Sequence, residues 1–176
     1  MSCMVQAREE DRPSTFIPPK WAHKFTKADL PHRIPHMESP TENFWYLELG
    51  GMRDTIGDTE EIRDELLALA YGMWDYLKND PEQAQKYENW RLDWMGILPG
   101  KRESRRYIGA HVLTENDVEA GGQFEDTVAF GGWPMDDHNP AGFRSYLSGA
   151  PASKLYPAPS PYGIPYRCFY GHDVDN

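Results

Sequence analysis

The chain has 176 residues, enough for one domain or part of a larger one, and 39% of them are hydrophobic, with six Trp, ten Tyr and seven Phe. That much bulky apolar material excludes a wholly disordered chain. The formal charge of −10 weighs against general binding to nucleic acid or to anionic lipid, since both need clustered Lys and Arg.

Cys3 and Cys168 lie at opposite ends of the sequence, with no C-x-x-C between them. Such usage points to a reducing compartment rather than a disulfide framework. No cationic start leads into an apolar leader, and no run of about 18 apolar residues could span a bilayer. A cytoplasmic protein without membrane or nucleic-acid partners is the expectation; a signal peptide at the start of a longer parent chain would leave no trace in these residues.

In chain order, Met1–Ala7 reads as a strand. Residues 13–40 are rich in Pro and read as irregular chain, with a short helix near Thr26–Leu30. Phe44–Leu49 (FWYLEL) reads as a buried strand stopped by Gly50 and Gly51. Asp58 followed by Glu61 suggests a helix start. Ile62, Leu66, Leu69, Ala70, Met73 and Leu77 then recur at steps of three and four. That spacing places one apolar stripe on a helix of about 20 residues, ended by Asn79-Asp80-Pro81. Glu82–Trp90 reads as a second helix, completing a helical hairpin. Arg105–Leu113 reads as a strand. Thr114–Asp117 (TEND) can cap a short helix, and Thr127–Phe130 reads as a strand entering Gly131-Gly132. Residues 133–162 read mostly as loop, and Ile164–Tyr170 as a last short strand at an edge.

The order implies an α+β class: a mainly antiparallel or mixed sheet covered by a helical hairpin, with long Pro-rich loops. Residues 1–176 read as a single partial domain.

Several chemistry-bearing motifs are absent. No G-x-G-x-x-G follows a strand, and there is neither a P-loop nor a G-x-S-x-G elbow. Two stretches stand out. Gly100–Arg106 (GKRESRR) sets four cations around one acid, and its guanidinium forks could hold a carboxylate, a phosphate or an anionic intermediate. A solvated turn is the simpler account of it. Gly131–His138 (GGWPMDDH) offers Asp136, Asp137 and His138 for proton transfer, or else a polar turn. No metal site is expected. His32 and His36 have the i, i+4 spacing but lie in Pro-rich chain, and no structural zinc spacing appears. His23 and His172 read as surface residues, and His111 as a structural histidine. Glu48, Asp54 and Asp58 make a weak glycosidase set. Trp21, Trp45, Trp90, Trp94 and Trp133 read as core residues in preference to stacking platforms.

Three segments carry a resemblance. Residues 102–117 (RESRRYIGAHVLTEND), 124–140 (FEDTVAFGGWPMDDHNP) and 164–176 (IPYRCFYGHDVDN), with 44–79 upstream, resemble the bacterial FAD-dependent oxidoreductase family. These are large flavoproteins often found beside sugar-degrading enzymes. The likeness runs over nearly the whole chain. It implies a split Rossmann-type FAD domain with a substrate section between its parts, and this chain resembles that middle section. The missing dinucleotide fingerprint makes FAD binding by this chain alone doubtful, although FAD is the cofactor the family implies.

By the resemblance, Arg102, Glu103, Ser104, Arg105 and Arg167 would face the cofactor. His138, Arg102, Arg105 and Asp137 would serve catalysis, Asp136 being an alternative proton carrier to Asp137. The implied partner is a small organic substrate oxidised by hydride transfer, sugar-related compounds being among the candidates. Self-association through exposed apolar surface is a further expectation. Two other readings stay open: a stand-alone carbohydrate-binding or interaction module, and a small hydrolase using Asp136, Asp137 and His138.

Overall fold

The computed structural model describes residues 1–30, 46–101, 105–151 and 153–171. They fall into two compact units. Met1–Ser104 joins Asn139–Ala152 in unit 1, and Arg105–His138 joins Ser153–Asn176 in unit 2.

Unit 1 is built on the apolar stripe. Helix α1 runs Thr59–Asn79, and Ile62, Leu66, Leu69, Ala70, Met73 and Leu77 are all buried along it, as their spacing requires. Trp74 and Tyr76 are buried as well, which widens the face. Against the helix lies an antiparallel pair, β1 (Val5–Glu9) with β2 (Trp90–Met95). Val5, Ala7, Trp90 and Leu92 turn toward the same core. Before β1, the Met1 ammonium donates to Leu49 O (2.7 Å) and Cys3 N–H donates to Leu47 O (3.2 Å). Phe143 N–H donates to Glu48 O (2.7 Å), which draws the 139–152 return into the unit and buries Phe143.

Gly72 explains how the Pro-rich segment lies on the helix. His23 N–H donates to Ala68 O, in mid-helix, at 3.1 Å. A Cβ at Gly72 would overlap the His23 carbonyl oxygen. The helix therefore carries a glycine despite its propensity cost of ~1 kcal/mol.

Lys78 performs a second join. Its ammonium is buried and donates to the carbonyls of Tyr87 (2.8 Å), Glu88 (2.9 Å) and Trp90 (2.7 Å), and to Ser14 Oγ (3.2 Å). Burial lowers its pKa below the usual lysine range.

Unit 2 holds a short helix, α2 (Glu115–Glu119), and two antiparallel pairs. Strand β3 (Thr127–Gly131) pairs with β6 (Tyr162–Pro165), and β4 (Met135–His138) with β5 (Ser153–Tyr156). Gly122 (φ +57°) and Gly163 face each other backbone to backbone, and a Cβ on either would overlap the other's carbonyl oxygen.

The α+β class and the antiparallel pairing agree with the expectation, but several elements differ. Among the described residues there are three two-stranded sheets rather than one larger sheet. Residues 81–89 form a run of turns, not a second helix. Their bonds mix i−3 and i−4 acceptors, as in Gln83 N and Ala84 N both donating to Asp80 O. The Tyr87 and Glu88 carbonyls are taken by Lys78 instead of extending a helix, and Trp90 opens β2.

Around Glu48 the described chain shows a bridge to Ser2 rather than a strand; Phe44 and Trp45 lie outside the described residues. Among the described residues, 105–113 carry one isolated bridge, Gly109 to Gly171, instead of a strand. The stretch expected as loop contains β4, β5 and a 3-10 turn at Gly142–Ser148. The last strand ends at Pro165 and gives way to a 3-10 turn, Tyr166–Cys168.

Asp58 sits at the N-cap, but its side chain does not cap. Its carboxylate accepts from Arg53 Nε (3.2 Å), with Glu61 on the same guanidinium. The expectation that the tryptophans pack in the core is also corrected. Trp21, Trp94 and Trp133 are 58%, 49% and 70% exposed, whereas Trp90 is half-buried against the core. Trp45 lies outside the described residues.

No helix among the described residues is long and apolar enough to cross a membrane.

Candidate functional site

Strand alternation puts residues i and i+2 on one face. Strand β4 therefore presents Asp136 and His138 together, and His138 Nε2 lies 3.0 Å from Asp136 Oδ2. The pair is partly shielded, with side-chain exposures of 20% for His138 and 30% for Asp136. A carboxylate at this distance orients the ring. Asp137 points to the other face, opposite Lys154 in the register. Of the two acids considered beside His138, the geometry selects Asp136 as its partner.

Arg167 sits in the Tyr166–Cys168 turn, where its Nε donates to Asp126 Oδ2 (3.0 Å) and its backbone N–H reaches the same oxygen (3.2 Å). The guanidinium holds Asp126 below the usual carboxylate range, and the carboxylate raises Arg167 in turn. Nothing in the sequence marks this pair, whose members are 41 residues apart.

Arg105 is exposed, and its carbonyl accepts from the Arg106 guanidinium (3.1 Å). Arg102, Glu103 and Ser104 lie outside the described residues, as do His32, His36 and His172. Arg105, Asp137, His138 and Arg167 all belong to unit 2; Asp137 and His138 share β4, while Arg105 and Arg167 come from two other segments.

A further histidine–carboxylate pair was legible only as a helix cap. Asp117 accepts from Thr114 N–H (2.9 Å) and Thr114 Oγ1 (2.8 Å), and lies 3.0 Å from His111 Nε2. The Thr114 bonds, and then His111, hold Asp117 below the usual range. His111 also meets Phe124 edge-on at 5.2 Å. These contacts give His111 a structural role.

Cys3 is not a nucleophile at neutral pH: burial pushes its thiol up to about 11. Among the described residues, no three His, Cys, Asp or Glu side chains are grouped to hold a metal ion.

A family model described as FAD dependent oxidoreductase matches residues 4–176. No curated protein and no solved structure matches the chain. The described residues do not fit the nucleotide half of FAD. A pyrophosphate needs backbone amides at a helix start, without competing anions. The start of α1 instead carries Asp58, Glu60 and Glu61, and α2 is five residues long with Glu115 and Asp117 in its first turn. Groups suited to proton transfer and to holding an anion are present in unit 2, in His138 with Asp136 and in Arg167. The match runs almost from end to end of the sequence, and the chain belongs to the FAD dependent oxidoreductase family.

Proposed function

We propose that this chain supplies the substrate-facing section of an FAD-dependent oxidoreductase acting on a small organic molecule. The carrying observation is the Asp136–His138 pair on β4, within a chain that the family model spans over residues 4–176. In the family the two-electron chemistry belongs to the flavin. The residues of this chain handle the accompanying proton and charge.

His138 takes the proton from a substrate O–H or N–H, and Asp136 stabilises the imidazolium that results. Arg105 and Arg167 face negative charge on the substrate or cofactor, Arg167 being held in place by Asp126. By the resemblance alone, Arg102, Glu103 and Ser104 are proposed to face the cofactor. Asp137, on the opposite face of β4, is not required for the His138 step.

The test uses the flavin-loaded protein, formed by expressing this chain with a segment carrying a strand–GxGxxG–helix. His138→Gln is expected to slow substrate-dependent reduction by about 10²- to 10⁴-fold and to remove from the pH profile the loss of rate at low pH that protonation of a general base produces. The visible flavin spectrum should be retained. Reduction at the wild-type rate, with an unchanged pH profile, would remove His138 from the proposal.

A further inference from the structure

Unit 1 contains a cleft of about 180 Å³ between the start of α1 and the 139–144 return. Ordinary small-molecule sites run to ~300–1,000 Å³, so its occupant must be small. Leu49 and Ile62, both buried, form the floor, and Met52 and Pro140 line the sides. Gly50 and Ala141 keep it open: a Cβ on Gly50 would come within 3.1 Å of Ile62 Cδ1.

Two guanidiniums, Arg53 and Arg144, stand on this apolar pit. Arg53 donates to Asp58 and Glu61, and Arg144 donates to Glu65. Each guanidinium has five N–H donors. Among the described residues these bonds engage two donors of Arg53 and one of Arg144. Glu61 is 75% exposed, so its ion pair is weak in water and yields readily to a better-shielded anion.

We propose that this cleft binds a small monocarboxylic acid with a compact hydrocarbon body. The carboxylate lies on Arg53 and Arg144, and the hydrocarbon lies on Leu49, Ile62, Met52 and Pro140. A cation is disfavoured because the charged groups lining the cleft are two guanidiniums, Arg53 and Arg144, and a single carboxylate, Glu65. A dianion is disfavoured by Asp58, Glu61 and Glu65 beside them. A neutral analogue loses the charge-assisted bonds. Nothing in this site depends on the His138 pair or on flavin.

The experiment is methyl and amide NMR of the full chain titrated with benzoate, benzamide, benzylamine and acetate at matched ionic strength. Benzoate should give saturable shifts of the Leu49, Ile62 and Ala141 methyls in the millimolar range or tighter. Benzamide should bind about tenfold or more weakly, as expected for losing a charged hydrogen bond, and benzylamine should not bind. Arg144→Gln should weaken benzoate about tenfold or more, and Ala141→Leu should block it. Arg53→Gln provides an independent variant should Arg144→Gln fail to fold, and the wild-type ranking of the four probes needs no variant.

Equal binding of benzamide and benzoate would overturn the proposal. So would acetate binding as tightly as benzoate, which would indicate an anion contact without an apolar subsite, or the absence of saturable shifts.

Discussion

At the scale of single residues, the chain uses charge for joinery. Lys78 shows this most directly: one buried ammonium ties the N-terminal segment, the turn after α1 and the start of β2 to the helix. Lys78→Met keeps the apolar stem and leaves the Tyr87, Glu88 and Trp90 carbonyls without this donor. The expected loss is about 2–4 kcal/mol of unfolding free energy, measured by urea denaturation. A loss within experimental error would mean that water replaces the ammonium freely.

Asp117 makes a pH-dependent claim. Its folded pKa is lowered, first by the Thr114 bonds and then by His111. A carboxylate with a depressed folded pKa adds stability above its unfolded value of about 3.9 and loses it as pH falls through the folded value. Melting temperature should therefore fall as pH drops below about 4, and Asp117→Asn should flatten that fall. If the variant and wild type lose stability in parallel, other carboxylates account for the acid sensitivity.

At the scale of elements, helix α1 was readable and most of the sheet was not. The step-three and step-four recurrence from Ile62 to Leu77 is a local signal, and all six positions are buried. The Thr114 capping box was equally local and holds with Asp117 as its third residue. Strands β4 and β5 are four residues each and are separated by 14 residues, so their pairing depends on chain that no short window contains. The Glu82–Trp90 stretch has helical composition, but Lys78 and the demand of β1 for a partner decide its conformation.

The same holds for the site. His138 with Asp136 could be proposed from a single tetrapeptide, whereas the Asp126 partner of Arg167 and the Arg144 partner of Glu65 could not. Gly72 tests how far packing overrides propensity. Helix propensity favours Gly72→Ala by ~1 kcal/mol, while a Cβ there would overlap the His23 carbonyl oxygen. The variant should lose roughly 1–3 kcal/mol on denaturation; a gain would show that the Pro-rich segment is easily displaced from the helix.

At the scale of the whole molecule, the distribution of charge explains what the chain does and does not offer a flavin nucleotide. The net charge is −10, and acids concentrate at both helix starts, where a phosphate would otherwise be welcome. The cations on which the proposed function draws, Arg105 and Arg167, lie in unit 2, as does the Asp136–His138 pair. Membership of a flavoprotein family and a poor fit to the nucleotide are compatible if the work is divided. On the proposed function, another section would hold the cofactor by its phosphates and this one would face the substrate.

That division is tested most directly by titrating the isolated chain with ADP while recording its amide NMR spectrum, which reports folding and binding together. The account predicts a dispersed spectrum in which ADP up to millimolar concentration produces no saturable shifts, including at Thr59, Glu60 and Glu61. Saturable ADP shifts in the folded chain would contradict it, because the nucleotide would then have its cradle here.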